Sequence, residues 1–296
     1  MSRAAESVRV DDVDVYVVRE GSGRPLLTVH GGPGLGHSYL EPIGVLATDG
    51  TKRENDDRFE VIQYDQRGSG RSGSGDIAKL TIAGAVEDLE ELRAALGLER
   101  ISLLGHSIGG HVAYLYASRY PERVNALVLF ATAPPLDEAL ANEMWLDMAS
   151  RRTPQDDAEQ AAIRRSDEFR RREPMAVERY ILNVYTPFFR DRATIGRMTF
   201  DLTPTSVASI LDVGEEGFLA TLPEMDPMGS LSRIGCPTLV VHAELDPTPY
   251  PFSRMLADTI PGAEFALLKG ASHFAFIEDP DAFSEVVGDF LRRVTP

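Results

Sequence analysis

A single cysteine, Cys236, is the chain's only thiol, so no internal disulfide can form and no second thiol is present for redox cycling. Long hydrophobic runs are missing too: no stretch approaches the roughly 20 apolar residues that a membrane-spanning helix needs. Residues 1–15 carry charges every few positions, where an export signal would have a continuous apolar core. A cytoplasmic location is the expectation. Positive charge is scarce, with 30 Lys and Arg against 46 Asp and Glu, and the net charge of −16 repels nucleic acid and anionic membrane surfaces. Neither is an expected partner. His and Cys spacings typical of a metal site are missing, as are nucleotide and flavin fingerprints. No metal and no cofactor is therefore expected, and Cys236 reads as a residue packed ahead of a strand. The chain has no internal repeat and no low-complexity segment.

What is present suffices for one substantial core carrying an insertion: 296 residues, 43% of them hydrophobic. Period-two alternation over 7–10 and 13–19, with Asp11-Asp12 between, predicts a hairpin. Further strands are predicted at 26–29, 60–64, 101–104 and 126–131, several of them continuous Val/Ile/Leu runs. Between them, 82–96 spaces Ile82, Val86, Leu89, Leu92 and Leu96 three or four apart behind Thr81 as N-cap, which predicts an amphipathic helix. Alternating strands and helices imply a doubly wound, mainly parallel α/β sheet covered on both faces. From about 134 to 230 the character changes to Arg/Glu/Asp-rich helical segments such as 137–152 and 158–172, most of whose charges belong to solvated outer faces. The β pattern returns at 237–242 and 264–268, and a final amphipathic helix covers 280–293. The expected organisation is a core in two parts, 1–133 and 231–296, with 134–230 as an inserted helical cap.

One pentapeptide within this plan carries chemistry. Gly105-His106-Ser107-Ile108-Gly109 joins an apolar strand to an Ala/Tyr-rich helix, and Gly-x-Ser-x-Gly in that setting is a nucleophile elbow. A serine hydroxyl is a weak nucleophile unless a histidine takes its proton and a carboxylate orients that histidine. In this architecture the acid and then the base follow the serine, each on a loop after a later strand. Of six histidines only His273 lies after the last predicted strand, so it is the expected base. Asp246, after the strand at 237–242, is favoured as the acid over the nearby Glu244. His30, His106 and His242 end strands and read as packing or hydrogen-bonding residues. An oxyanion needs two aimed N–H donors. Ile108 supplies one, and in His30-Gly31-Gly32-Pro33-Gly34, where Pro33 has no N–H, Gly32 is the best source of the other. Trp145, Tyr180, Tyr185, Phe188 and Phe189 could form an apolar lid over a small ring, though helix aromatics commonly just pack a core.

These residues resemble the α/β-hydrolase superfamily and, more narrowly, its proline iminopeptidase (prolyl aminopeptidase) family of serine peptidases. His30 to Gly34 resembles that family's HGGPG oxyanion loop, and 65–72, Asp-Gln-Arg-Gly-Ser-Gly-Arg-Ser, matches its DQxGxGRS segment. That second segment reads as a structural turn in which Asp65 and Arg67 satisfy backbone groups. Ser107, Asp246 and His273 fall at the family's triad positions. The resemblance implies an α/β-hydrolase fold and a serine hydrolase that releases an N-terminal residue, preferably proline, from short peptides or amino-acid amides through an acyl-enzyme. It also implies that cap glutamates hold the substrate's free ammonium; Glu215, beside Glu216, falls near that place, with Glu244 as a possible helper, and the plain alternative is a solvated acidic turn. Two departures stand out. Pro247 follows the triad acid where related enzymes carry a second glutamate, and His106 and Ile108 flank the serine where many relatives have Gly or Ser and Trp or Tyr. An esterase, lactonase or amidase acting on a small metabolite with the same triad therefore remains the alternative, and a non-catalytic binding protein on this scaffold is a third reading that the intact triad argues against.

Overall fold

The computed structural model describes residues 3–48, 58–132 and 138–295. Alternating valines close the first hairpin: β1 (Arg3–Val10) and β2 (Val13–Gly21) pair antiparallel, with Val10 opposite Val13. The remaining strands are β3 (Arg24–Val29), β4 (Phe59–Tyr64), β5 (Ile101–His106), β6 (Val124–Phe130), β7 (Thr238–Ala243) and β8 (Glu264–Leu268). They form one eight-stranded sheet in the order β1-β2-β4-β3-β5-β6-β7-β8. Every pairing from β4 to β8 is parallel. This is the doubly wound α/β sheet expected of the α/β-hydrolase fold.

A parallel sheet must be covered on both faces, because its strands carry apolar side chains on both. Leu26, Val61, Leu104, Val128 and Val241 join one buried cluster, and their neighbours Leu27, Ile62, Leu103, Leu127 and Val240 join the other. Helices that cover the second face include α1 (Ile82–Ala95) through Val86 and Leu89, and α2 (Ile108–Arg119) through Val112 and Tyr116. Thr81 caps α1 by accepting a hydrogen bond from Gly84 N–H. Between β6 and β7 the described residues contain no strand; α3 (Glu138–Ser150), α4 (Pro154–Arg165) and α5 (Pro174–Tyr185) lie there with several shorter turns. The expected boundary at 133/134 and the helix start at 137 fall outside the described residues. After β7 comes α6 (Tyr250–Thr259), and α7 (Pro280–Val294) covers the first face with Phe283, Val287 and Phe290.

Two differences from the expected helices have local causes. The segment 158–172 is not one helix: Thr153 forms a capping box that starts α4 at Pro154, and Ser166 turns extended and caps a separate turn at Asp167–Arg170. No helix was expected over 250–259; α6 forms there with Pro251 in its first turn, where proline sits comfortably. No helix among the described residues is long and apolar enough to cross a membrane.

Close approach explains the elbow glycines. A methyl group on Gly109 would overlap the carbonyl oxygen of Val29 in the neighbouring strand β3, and backbone cannot step aside. Gly109→Ala is expected to lower the unfolding free energy in urea titration by about 3 kcal/mol. Gly235→Ala, whose methyl meets nothing within 4 Å, is expected to leave it unchanged.

Candidate active site

Strand β5 ends at His106, and Ser107 takes the turn into α2 with φ 53° and ψ −125°, a conformation that few residues other than glycine adopt. The Ser107 side chain makes no capping bond to the helix it precedes, so its hydroxyl is left for other work. The turn is pinned by Ser107 N–H donating to Phe130 O at 3.1 Å and by the Thr132 hydroxyl donating to Ser107 O at 3.2 Å. Ile108 is the first residue of α2, where backbone N–H groups have no intrahelical acceptor.

The loops after β7 and β8 bring an acid to a base. His273 Nδ1 lies 3.0 and 3.1 Å from the two Asp246 carboxylate oxygens, and both side chains are buried. A carboxylate accepts, so Nδ1–H donates to Asp246, and in the neutral ring Nε2 is the acceptor. Asp246 is held in turn by the N–H of Thr248 at 2.8 Å. Glu244, the competing acid, instead accepts from Gly270 N–H at 2.7 Å and so ties the acid loop to the base loop.

Residues 30–34 press against the serine. A Cβ on Gly31 would lie 2.9 Å from Ser107 Cβ and 2.9 Å from His106 O, so only glycine lets the loop come this close. Gly31 N–H donates to the Tyr39 hydroxyl at 2.7 Å, whereas Gly32 N–H has no hydrogen-bond partner among the described residues. The Tyr39 oxygen also stands 3.0 Å from His106 Nδ1, and His106 Nε2 stands 3.0 Å from the carbonyl oxygen of His273. A carbonyl can only accept, so Nε2 carries the proton and Nδ1 accepts from the tyrosine. His106 thereby links serine turn, oxyanion loop and base loop, a role that no local motif announces for Tyr39. His30 and His242 likewise serve hydrogen bonding, His30 Nε2 accepting from Gln66 N–H at 3.0 Å and His242 Nδ1 lying 2.9 Å from the Ser253 hydroxyl.

The 65–72 segment supports this loop from behind. Asp65 accepts from His37 N–H and His37 Nδ1, both at 2.7 Å, and from Arg71 N–H at 2.8 Å. Arg67 makes a two-pronged ion pair with Asp88 at 2.8 and 2.7 Å and a third contact with Asp12, so carboxylates rather than backbone groups satisfy most of it.

In front of the loop lies a cavity of about 250 Å³ whose walls include Gly32, Pro33, Tyr180, Tyr185, Ile210 and Glu215. Glu215 is set there by the short helix Gly214–Leu219, which follows a π-helical turn at Ser209–Val213. The crowding of protein around its carboxyl raises the Glu215 pKa, and the field of His273 opposes that rise. Phe188 packs its ring 5.0 Å from His273, and Phe189 stacks on Phe274 at 4.8 Å. Glu216 and Trp145 are not among the residues lining this cavity; Trp145 is 55% exposed on α3. Among the described residues no group of three or more His, Cys, Asp or Glu side chains is placed to hold a metal ion.

A sheet parallel through six strands, delivering Ser107, Asp246 and His273 from loops at its C-terminal edge, has the plan of an α/β hydrolase. The alpha/beta hydrolase fold family matches residues 24–280. A proline iminopeptidase of Clostridium botulinum is 30% identical over 284 residues, covering 92% of this chain and 91% of that one. The chain therefore belongs to the α/β-hydrolase family and, within it, to the proline iminopeptidase family; it is a hydrolase. Among solved structures, the proline iminopeptidase of Mycobacterium smegmatis has the same fold, with a TM-score of 0.70 and 24% identity over 98% of each chain. A thermophilic esterase from Thermogutta terrifontis matches with a TM-score of 0.65 and 25% identity over 100% of both chains.

The buried histidines set an acid limit to stability. Burial lowers the pKa of His30 and of His111 from 6.5 to about 4, and burial followed by the field of His273 lowers that of His106 well below 6.5. Below pH 6.5 the unfolded chain binds protons that the folded chain refuses, so stability present above 6.5 is lost as pH falls toward 4. Each such histidine is expected to contribute up to about 1.4 kcal/mol per pH unit of decline. Urea midpoints measured from pH 8 to pH 5 check this, and His111→Leu is expected to flatten the slope.

Proposed function

We propose that the protein is an aminopeptidase that releases an N-terminal residue, preferably proline, from short peptides or amino-acid amides through an acyl-enzyme. Ser107 attacks the scissile carbonyl, His273 Nε2 takes its proton and returns it to the leaving amine, and Asp246 orients the ring and stabilises the imidazolium. The N–H groups of Gly32 and Ile108 hold the oxyanion. Residues 134–230 act as the cap, supplying Tyr180, Tyr185 and Glu215 to the wall opposite the core.

The observation that carries this reading is Glu215, a carboxyl on the same cavity as the unpartnered Gly32 N–H and within the field of His273. Its distance along the chain from Gly32 makes the cavity they share informative. An ammonium moved out of water needs an anionic partner, since an unpaired buried charge costs several kcal/mol. Glu215 answers that need, and the bound cation would in turn favour its ionised form. The cavity's volume suits one side chain rather than a long acyl group.

A second reading, an esterase or amidase for a small metabolite, is favoured by one feature: Pro247 stands directly after Asp246, where a second amine-binding carboxylate would otherwise be. Prolyl, alanyl and N-blocked prolyl arylamides assayed beside short-chain aryl esters separate the two. The aminopeptidase reading expects turnover of the free prolyl substrate, loss of turnover on N-blocking, and no activity or fluorophosphonate labelling in Ser107→Ala. It also expects Glu215→Gln to raise KM for the free amine about 10- to 100-fold with ester turnover little changed. Fast ester cleavage with prolyl arylamides left intact would transfer the assignment to the second reading.

A further inference from the structure

Tyr185 ends α5 with its ring in a nest of aromatics, 5.3 Å from Phe188 and 5.5 Å edge-on to Phe274, the residue after His273. This packing aims the side chain at the oxyanion loop: its hydroxyl lies 3.5 Å from where a Cβ on Gly32 would stand. It also lines the cavity that holds Glu215. Among the described residues the hydroxyl has no hydrogen-bond partner, and the half-buried side chain leaves it open to the cavity. Its neighbour Tyr39, by contrast, has both hydrogen-bonding functions of its hydroxyl engaged.

We propose that the Tyr185 hydroxyl is a third hydrogen-bond donor to the oxygen of the scissile carbonyl, beside the N–H groups of Gly32 and Ile108. The inference rests on the reading of Ser107 as nucleophile but not on the choice between peptide and ester. Three features support a donor role. The group is positioned by rigid ring packing, so little ordering is needed when substrate arrives. It has no competing acceptor within hydrogen-bond distance, Glu215 included. Burial, and then the charge of Glu215, push its pKa well above 10, so it carries a proton throughout the neutral range. When Ser107 Oγ bonds to the carbonyl carbon, the C=O electron pair moves onto oxygen and the serine proton moves to His273 Nε2. Negative charge then grows beside the Tyr185 O–H, in a site walled by aromatic rings where such a hydrogen bond is strong.

Tyr185→Phe removes one oxygen and keeps the ring packing. The expected result is a fall in kcat of roughly 10- to 100-fold with KM within about twofold, because the bond strengthens only as charge develops. The same fall is expected with a free prolyl arylamide and with an aryl ester, since both pass through an oxyanion. Active-site concentration fixed by end-point fluorophosphonate labelling, together with an unchanged thermal midpoint, keeps the comparison to folded enzyme. An unchanged kcat on both substrates would overturn the proposal. A raised KM confined to the amine-bearing substrate would also overturn it and would assign Tyr185 to amine binding beside Glu215. Should the wild type leave prolyl arylamides intact, the aminopeptidase reading fails while the ester arm still tests Tyr185.

Discussion

The hydrogen-bonded series from Gly31 through Tyr39 and His106 to His273 holds together three loops that the sheet alone does not align. Its direction is fixed at both ends. A backbone N–H begins it and a backbone carbonyl ends it, so the Tyr39 hydroxyl must donate to His106 Nδ1 and His106 Nε2 must carry the proton. Only the neutral ring satisfies this arrangement, because a second proton on Nδ1 would face the tyrosine donor. Burial and the adjoining His273 ring, 4.8 Å away, both act against protonation. Electrostatics and hydrogen bonding thus select the same state of His106. The His273 ring then sits next to a neighbour that adds no positive charge.

A second constraint works through space rather than charge. The loop carrying Gly31 and Gly32 lies almost in contact with the serine turn, and the 2.9 Å clearances at Gly31 measure how little room remains. Asp65 and Arg67 keep the loop there from the far side. Asp65 anchors His37, three residues beyond Gly34, while the two-pronged Arg67–Asp88 pair fixes the turn to α1. A buried ion pair of this kind is weak evidence for stability, because desolvation offsets most of its attraction. Its value here is geometric: it sets one register for a glycine-rich segment that has little side-chain packing of its own.

These two constraints mark where the sequence is legible. Strands β3 to β7 could be read because strands buried on both faces appear as continuous apolar runs, and the pairing of Asp246 with His273 could be expected because this architecture puts an acid and then a histidine on loops after later strands. Tyr39 could not be read, since its partners stand 8 and 67 residues away and nothing in its own neighbourhood marks it. Nor could the satisfaction of Arg67 by Asp88 and Asp12, contacts spanning 21 and 55 positions. A boundary failed where one residue had two roles, as with the Ser166 that ends one helix and caps the next. Trp145, grouped by composition with the other aromatics as a lid, is mostly exposed, whereas Tyr180 and Tyr185 wall the cavity and Phe188 packs against His273. Composition cannot tell which side of a helix faces the site.

The chemistry of the cavity turns on how few charges it holds. Glu215 lines it without a hydrogen-bond or ion-pair partner among the described residues; Glu244, the acid nearest in sequence to Asp246, is already engaged by Gly270 N–H. Glu215 keeps an exposed edge, yet the protein around its carboxyl disfavours the charged form, which raises its pKa. The same isolation makes it responsive, since a cation entering the cavity recovers the lost stabilisation and no internal ion pair must be broken first. A neutral ligand gains nothing from ionised Glu215 and must tolerate its desolvation or find it protonated. Pro247 follows Asp246 directly, so among the described residues that line the cavity Glu215 is the one carboxylate, set against the aromatic wall that Tyr180 and Tyr185 form.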